Sequence, residues 1–379
     1  MLIIFFQITL FRPHHYQILI QPIMKEIMSR KINLYCRKFT LLGYFMLLCL
    51  SGISQYNFNE LEQLLINNKK VIGDGLVVLI YKDGKPVYQK ELGEEFKLKT
   101  KVPVASCSKW LTAALVMTFV DEGIISLDDK VSKYLPIFEE YGRKYITIRQ
   151  CLSHETGIAD NEKRVVKILE FQKQKFESLE AQVNSFAKKE VTANPGTTFN
   201  YGNVGLNIAG RVLEVISKKR FEVLIKQRLF TPLNMRNSSF TPEENSTNPS
   251  GGAVSTATDY MNFLLMILDK GMFTGKRILS EAAINEMQTI QTKNIKKEFV
   301  PRVAEGFEYG LGEWVTETDA SGKSNVVASP GLLGTWPYVD KCRNYACIFL
   351  AKKLLGEEKK EFYLELKRAI DKQMGPKCN

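Results

Sequence analysis

Apolar and polar positions along this chain follow two different periods, and the period changes near each end. FNELEQLLINNKK places apolar residues at helical spacing. GLVVLIYKDGKPVYQKELG then reads as two strands around Lys82-Asp83-Gly84-Lys85, because Asp-Gly tolerates the positive φ of a tight hairpin turn. Ser106 to Gly123, SCSKWLTAALVMTFVDEG, predicts a helix that is apolar on most faces and closed by glycine. The middle of the chain is helical and punctuated. SLDDKVSKYLP offers Ser126 as an N-cap, ITIRQCLSHETGI runs to Gly157, and residues 161–190 are rich in lysine and glutamate at helical spacing. NPGTTFNYGN is a turn cluster, two helices are predicted within 203–217 and 220–229, and STATDYMNFLLMILDKG opens a capped helix. Strand periodicity returns in FEYGLGEWVTETDASGKSNVVAS, a hairpin around Asp319 to Lys323, and in GTWPYVD and NYACIFLAKK. EEKKEFYLELKRAIDKQM closes the chain as an amphipathic helix.

Strands at both ends around a helical body predict an α+β fold. The economical arrangement is one antiparallel sheet built from both chain ends and flanked by helices. The sheet part covers about 58–105 and 305–379, and the helical part about 106–304. The cleft between them is the place to expect a site. Ahead of this domain (55–379), residues 1–54 form an N-terminal extension. FTLLGYFMLLCLSGI at 39–53 has no charge, follows Arg30, Lys31, Arg37 and Lys38, and leads to small residues. That is the layout of a secretory signal peptide and is short for a membrane span. Export to the periplasm or the medium is therefore expected, with membrane attachment through 39–53 if the segment stays uncleaved. Met24 or Met28 would serve as the start of a signal of ordinary length.

Charge and cysteine content narrow the partners. The chain carries 52 Lys/Arg against 41 Asp/Glu. Residues 1–54 hold six and one of these, leaving 46 against 40, with lysines scattered among glutamates. This reads as solvated helix faces and excludes a nucleic-acid stripe. Five cysteines follow residue 54, an odd number without any CxxC. Buried free thiols are expected, with a Cys342–Cys347 bridge as the alternative. Of three histidines only His154 lies beyond residue 54, so a multi-histidine zinc site is excluded and any histidine-based triad would need that residue. No cofactor or metal requirement is read.

GxSxG, HExxH, P-loop and GxGxxG signatures are absent. What stands out is Ser106-Cys107-Ser108-Lys109. Positions i and i+3 share a helical face, so the Lys109 amine can reach the Ser106 hydroxyl, and the helix N-terminus offers N–H groups to an oxyanion. Burial would make the amine a usable base. About one Ser-x-x-Lys is expected by chance in a chain this long, and Ser185 to Lys188 is a second copy within a charged helix. On local features alone Ser106 could equally be a helix cap. Tyr201-Gly202-Asn203 sits in a loop before a helix. Tyr201 could shuttle a proton if a nearby cation lowered its pKa, and Asn203 could hold a substrate carbonyl. Tyr260-Met261-Asn262 repeats the pattern mid-helix, where it reads as packing. Ser329-Pro330-Gly331-Leu332 supplies a glycine at a strand edge, where the Leu332 N–H could join that of Ser106 as an oxyanion donor.

Taken in order, these segments resemble the serine β-lactamase and penicillin-binding-protein-like superfamily. The nearest branches are class C β-lactamases, D-alanyl-D-alanine carboxypeptidases and family VIII carboxylesterases. The likeness runs colinearly over about 60–350, through VPVASCSKWL, ITIRQCLSHETGI, NPGTTFNYGN, LFTPLNM, SGGAVSTATDYMNF and FEYGLGEW. It implies that Ser106 is the acylated nucleophile and that Lys109 and Tyr201 share the proton work. It also implies that Asn203 binds the substrate carbonyl or amide, that the Ser106 and Leu332 amides form the oxyanion hole, and that His154 is structural. The third motif departs from the pattern, since Ser329 and Pro330 stand where the family usually has Lys-Thr or His before the glycine. That removes a cation that would greet a substrate carboxylate. The expected partner is thus a small ester, amide or D-amino-acid peptide. A class C-like β-lactamase or D,D-carboxypeptidase is the alternative within the class, and a non-catalytic envelope protein on the same fold is the alternative outside it.

Overall fold

The computed structural model describes residues 56–73, 75–94, 96–159, 176–240, 246–352 and 359–375. The apolar run at 39–53 and residues 161–175 of the lysine-rich stretch at 161–190 lie outside the described residues. No described helix is long and apolar enough to cross a membrane.

Seven strands form one antiparallel sheet: β1 (Leu76–Lys82), β2 (Lys85–Leu92), β3 (Glu308–Tyr309), β4 (Trp314–Thr318), β5 (Ser324–Ala328), β6 (Trp336–Asp340) and β7 (Tyr345–Ala351). Their order is β2-β1-β7-β6-β5-β4-β3. The two chain ends meet where β1 pairs with β7, Leu76 opposite Ala351 and Lys82 opposite Tyr345. The turn between β1 and β2 puts Asp83 and Gly84 at φ 51° and 74°, the left-handed pair that suits the strand twist. β7 is buried throughout and β1 from Leu76 to Ile80, so their side chains divide between two packed faces. Val77, Leu79, Val327, Val339, Ile348 and Leu350 join the main core.

The helices that position the site are α1 (Asn59–Asn67), α2 (Ser108–Asp121), α3 (Ile148–Leu152), α4 (Leu179–Lys188), α5 (Val204–Ser217), α6 (Ala257–Leu268), α7 (Glu281–Met287) and α8 (Lys360–Asp371). Helix α2 is buried at every position from Ser108 to Phe119. A helix that is apolar all round can be stable only inside, and this one forms the centre of the molecule. Helix α6 packs over β1, β6 and β7. Helix α8 covers aromatic side chains of the sheet, with the Tyr363 ring 4.6 Å from Trp336 and 5.7 Å from Phe349.

Three local expectations need correction. Ser126 caps no α-helix. Its hydroxyl accepts from the Asp128 N–H while Asp129 accepts from the Ser126 N–H, and these side chains close a turn that leads only to a single 3-10 turn at Val131–Lys133. Helix α3 stops at Leu152, five residues before Gly157, because His154 adopts φ 62°. Cys107, Cys151 and Cys347 are free and buried, but Cys342 is disulfide-bonded and its partner is none of these three. The Cys342–Cys347 bridge is therefore not formed.

Candidate active site

Ser106 stands where an extended segment becomes a helix. Val102–Pro103 pairs with Val254–Ser255, and the chain then turns through Ala105 at φ 48°. A left-handed residue with a Cβ is strained by about 1 kcal/mol, and such strain concentrates at functional sites. Ser106 occupies a 3-10 turn, Ala105–Cys107, and the α-helix proper begins at Ser108. One turn on, Lys109 is 2% exposed. Its Nζ lies 3.3 Å from Ser106 Oγ, 3.1 Å from Asn203 Oδ1 and 2.9 Å from the Ser250 carbonyl oxygen. It also lies over the Tyr201 ring, 5.0 Å from the centroid.

Tyr201 and Asn203 reach this point from the other side of the cleft. The strand Thr198–Asn200 runs parallel to Lys296–Phe299, and the Tyr201 N–H donates to the Phe299 carbonyl. Asn203 is the cap residue of α5. One helical turn later Asn207, fully buried, accepts from the Ser250 N–H and donates to Gln182 of α4. A polar chain thus runs from Lys109 through Ser250 and Asn207 to α4, fixing the loop whose carbonyl holds the lysine.

Tyr201 rests in an aromatic nest. Its ring centroid is 4.6 Å from His154, 5.2 Å from Trp314 and 6.0 Å from Tyr309. Burial pushes the Tyr201 phenol well above its ordinary pKa, and hydrogen bonds with Ser106 and Trp314 only partly offset this. The expectation that a cation lowers this pKa is not met. Lys109 Nζ lies over the ring, and desolvation dominates. His154 is held well below the usual histidine range by burial and by the charge of Lys109, and its Nε2 shares a hydrogen bond with the Tyr309 hydroxyl at 3.1 Å. It supports the Tyr201 ring as a neutral group.

The third predicted segment lies against the Ser106 turn. Ser329 Oγ donates to the Ser106 carbonyl at 3.4 Å. The Gly331 N–H donates to Thr335 at 2.8 Å, and Leu332 opens a turn closed by the Gly334 N–H on the Gly331 carbonyl. A Cβ on Gly331 would stand 2.4 Å from the Val104 carbonyl oxygen and 3.0 Å from Cys107 Sγ. Ser106, Lys109, Tyr201, Asn203, Ser329 and Gly331 are therefore brought together, with Leu332 directly beyond. Sequence reasoning missed the Ser250 carbonyl, the strained Ala105 and the aromatic nest. Only the nest left a trace, in the spacing of Tyr309 and Trp314. Among the described residues no group of three His, Cys, Asp or Glu side chains is placed to hold a metal ion.

The comparisons with known proteins agree with this fold. The beta-lactamase family model matches residues 69–370. Penicillin-binding protein 4 of Amycolatopsis lactamdurans is 30% identical over 210 residues, which is 47% of this chain and 54% of that protein. The match thus spans about half the length of that relative. A solved structure from Bacteroides dorei DSM 17855, described as a candidate beta-lactamase, superposes with a TM-score of 0.74 at 29% identity, covering 84% of this chain and 99% of that one. EstCE1, described as a hydrolase with promiscuous acyltransferase activity, shares the fold with a TM-score of 0.68 at 19% identity, covering 83% and 97%.

Proposed function

The chain belongs to the beta-lactamase family, whose members are serine hydrolases, and we propose that it is an exported serine hydrolase cleaving ester or amide bonds through an acyl-enzyme on Ser106. The observation that carries this reading is the coordination of Lys109. Asn203 Oδ1 and the Ser250 carbonyl accept from Lys109 Nζ and so fix its position. They hold the amine 3.3 Å from Ser106 Oγ, within reach of the hydroxyl proton.

The chemistry follows in two halves. Ser106 Oγ attacks the substrate carbonyl carbon and passes its proton to Lys109 Nζ. The negative charge that develops on the carbonyl oxygen is met by the backbone N–H groups of Ser106 and Leu332. Tyr201, neutral at physiological pH, gives its phenolic proton to the departing alkoxide or amine and recovers one from Lys109. Water then repeats the attack on the acyl carbon, with the same groups in reverse, and releases the acid. Asn203 doubles as the residue that holds Lys109 and binds the substrate carbonyl or amide.

Ser329 and Pro330 bear on substrate choice. Neither offers a charge, and Ser329 Oγ already donates to the Ser106 carbonyl. A neutral acyl group fits this wall better than one bearing a carboxylate, which favours short esters or D-amino-acid amides over β-lactams. The test is hydrolysis of p-nitrophenyl acetate and butyrate by the protein and by Ser106→Ala. Turnover should fall by at least about 10³-fold in the variant. Turnover that survives the substitution would remove Ser106 as the nucleophile. A nitrocefin rate above the ester rate would replace this reading with that of a class C-like β-lactamase. Inactivity toward all three would favour a binding protein.

A further inference from the structure

Ser106, Lys109 and Thr112 follow one another at steps of three, Ser106 in the turn that leads into α2 and the other two on the helix itself. Residues three apart are neighbours on a helix surface, so Thr112 lies one turn beyond the lysine. Its side chain is fully buried. A buried helical threonine can satisfy its hydroxyl on its own helix, as Thr118 does on the Leu115 carbonyl at 2.8 Å. Thr112 instead donates out of the helix, to the Pro249 carbonyl at 2.7 Å.

That carbonyl and the Ser250 N–H belong to the same peptide unit. Asn207 of α5 accepts from this N–H at 2.9 Å. One planar group is thus gripped by its oxygen from α2 and by its nitrogen from α5. The next carbonyl along the chain is that of Ser250, which accepts from Lys109 Nζ. Pro249 is also packed against Gly210 of α5, where an added Cβ would stand 2.6 Å from Pro249 Cγ. Asn248 folds the loop onto itself. Its Oδ1 accepts from Ser250 Oγ at 2.7 Å, and its carbonyl accepts from the Gly251 and Gly252 N–H groups. Thr112 ties this closed loop to the helix that carries Lys109.

We propose that Thr112 is a positioning residue for Lys109. Through the Pro249–Ser250 peptide it sets where the Ser250 carbonyl meets the amine, and hence how the amine is aimed at Ser106 Oγ. This rests on the reading of Lys109 as the base that takes the Ser106 proton. Thr112 is buried behind the lysine and touches no substrate. Its loss therefore acts on the aim of the proton transfer and not on binding, which lowers kcat and leaves KM in place.

Steady-state hydrolysis of p-nitrophenyl butyrate by the full-length protein tests this. Thr112→Val removes the hydroxyl at nearly constant shape, and kcat should fall at least about tenfold with KM within about twofold. Thr112→Ser restores the donor and should stay within about threefold of the wild type. Thr118→Val, on the same helix but away from the loop, should keep its turnover. Should Thr112→Val fail to fold in a thermal melt, Thr112→Ala is read in its place. An unchanged kcat, a loss carried by KM, or an equal loss in Thr112→Ser or Thr118→Val would overturn the proposal. A crystal structure of the variant decides without any substrate: Lys109 Nζ should move by about 1 Å or more from the Ser250 oxygen or from Ser106 Oγ, and unmoved contacts would overturn it too. Turnover surviving in Ser106→Ala would instead strike the acyl-enzyme reading, which the position of Lys109 in that crystal does not address.

Discussion

Gly331 shows how closely single residues set this site. Its φ is ordinary, so what excludes a larger residue is the Val104 carbonyl oxygen, 2.4 Å from where a Cβ would lie. Gly331→Ala must push Leu332 and the Ser106 turn apart. A displacement near 1 Å at reacting groups costs about 10²-fold, so p-nitrophenyl butyrate turnover should drop by about that factor while the protein stays folded. Steady-state kinetics beside a thermal melt would check this. At this scale the sequence was informative about side chains. Ser106, Lys109, Tyr201 and Asn203 carry their chemistry in their names and spacing, and the structure brings them together. It was silent about backbone groups: the Ser250 carbonyl that holds Lys109 has no side-chain signature, and nothing about alanine announces φ 48° at Ala105. The Tyr201 pKa was misjudged because desolvation of its phenol outweighs the groups that lower it.

Among the elements, α8 depends on one side chain more than on its amphipathic stripe. Tyr363 packs on Trp336 and Phe349, and its hydroxyl donates to the Gly334 carbonyl at 2.6 Å. Tyr363→Phe should cost about 1–2 kcal/mol by leaving that carbonyl unpaired, and Tyr363→Ala about 3–5 kcal/mol through the cavity left behind. Urea unfolding would separate the two, and equal losses would contradict the hydrogen-bond account. Gly334 closes the turn that carries Leu332, so both variants should also lower ester turnover. Element identity was legible wherever the period was sustained, as in the β1–β2 hairpin, α5 and α8. It failed at Ser126, where a cap signal was answered by Asp129 within a turn. Local side-chain hydrogen bonds compete with helix formation, and the pattern alone does not tell which wins.

For the molecule as a whole, the pH response of stability offers a test of burial around the site. Glu155, 6% exposed, is raised by desolvation to about 7 against 4.5 for a free side chain. The folded state therefore keeps a proton that the unfolded chain releases. Stability falls as pH rises from about 4.5 through 7, and the penalty is complete above that. Glu155→Gln removes it, so the variant should gain about 1–3 kcal/mol over the wild type at pH 8 and nothing at pH 4. Parallel melting curves at both pH values would refute this. Lys341 acts in a separate window, since a base lowered to about 8 adds stability only as pH climbs beyond that value. The pairing of β1 with β7 has a further consequence, one of timing. Leu76 meets Ala351 across about 270 intervening residues. Contacts of such sequence separation close late and slowly. A chain still leaving the ribosome already holds Ser106 and Lys109, but the strands carrying Gly331 and Leu332 have yet to arrive. Nascent and C-terminally truncated chains should therefore be inert toward esters, and β1, with an apolar edge awaiting its neighbour, is the segment that chaperones would need to shield.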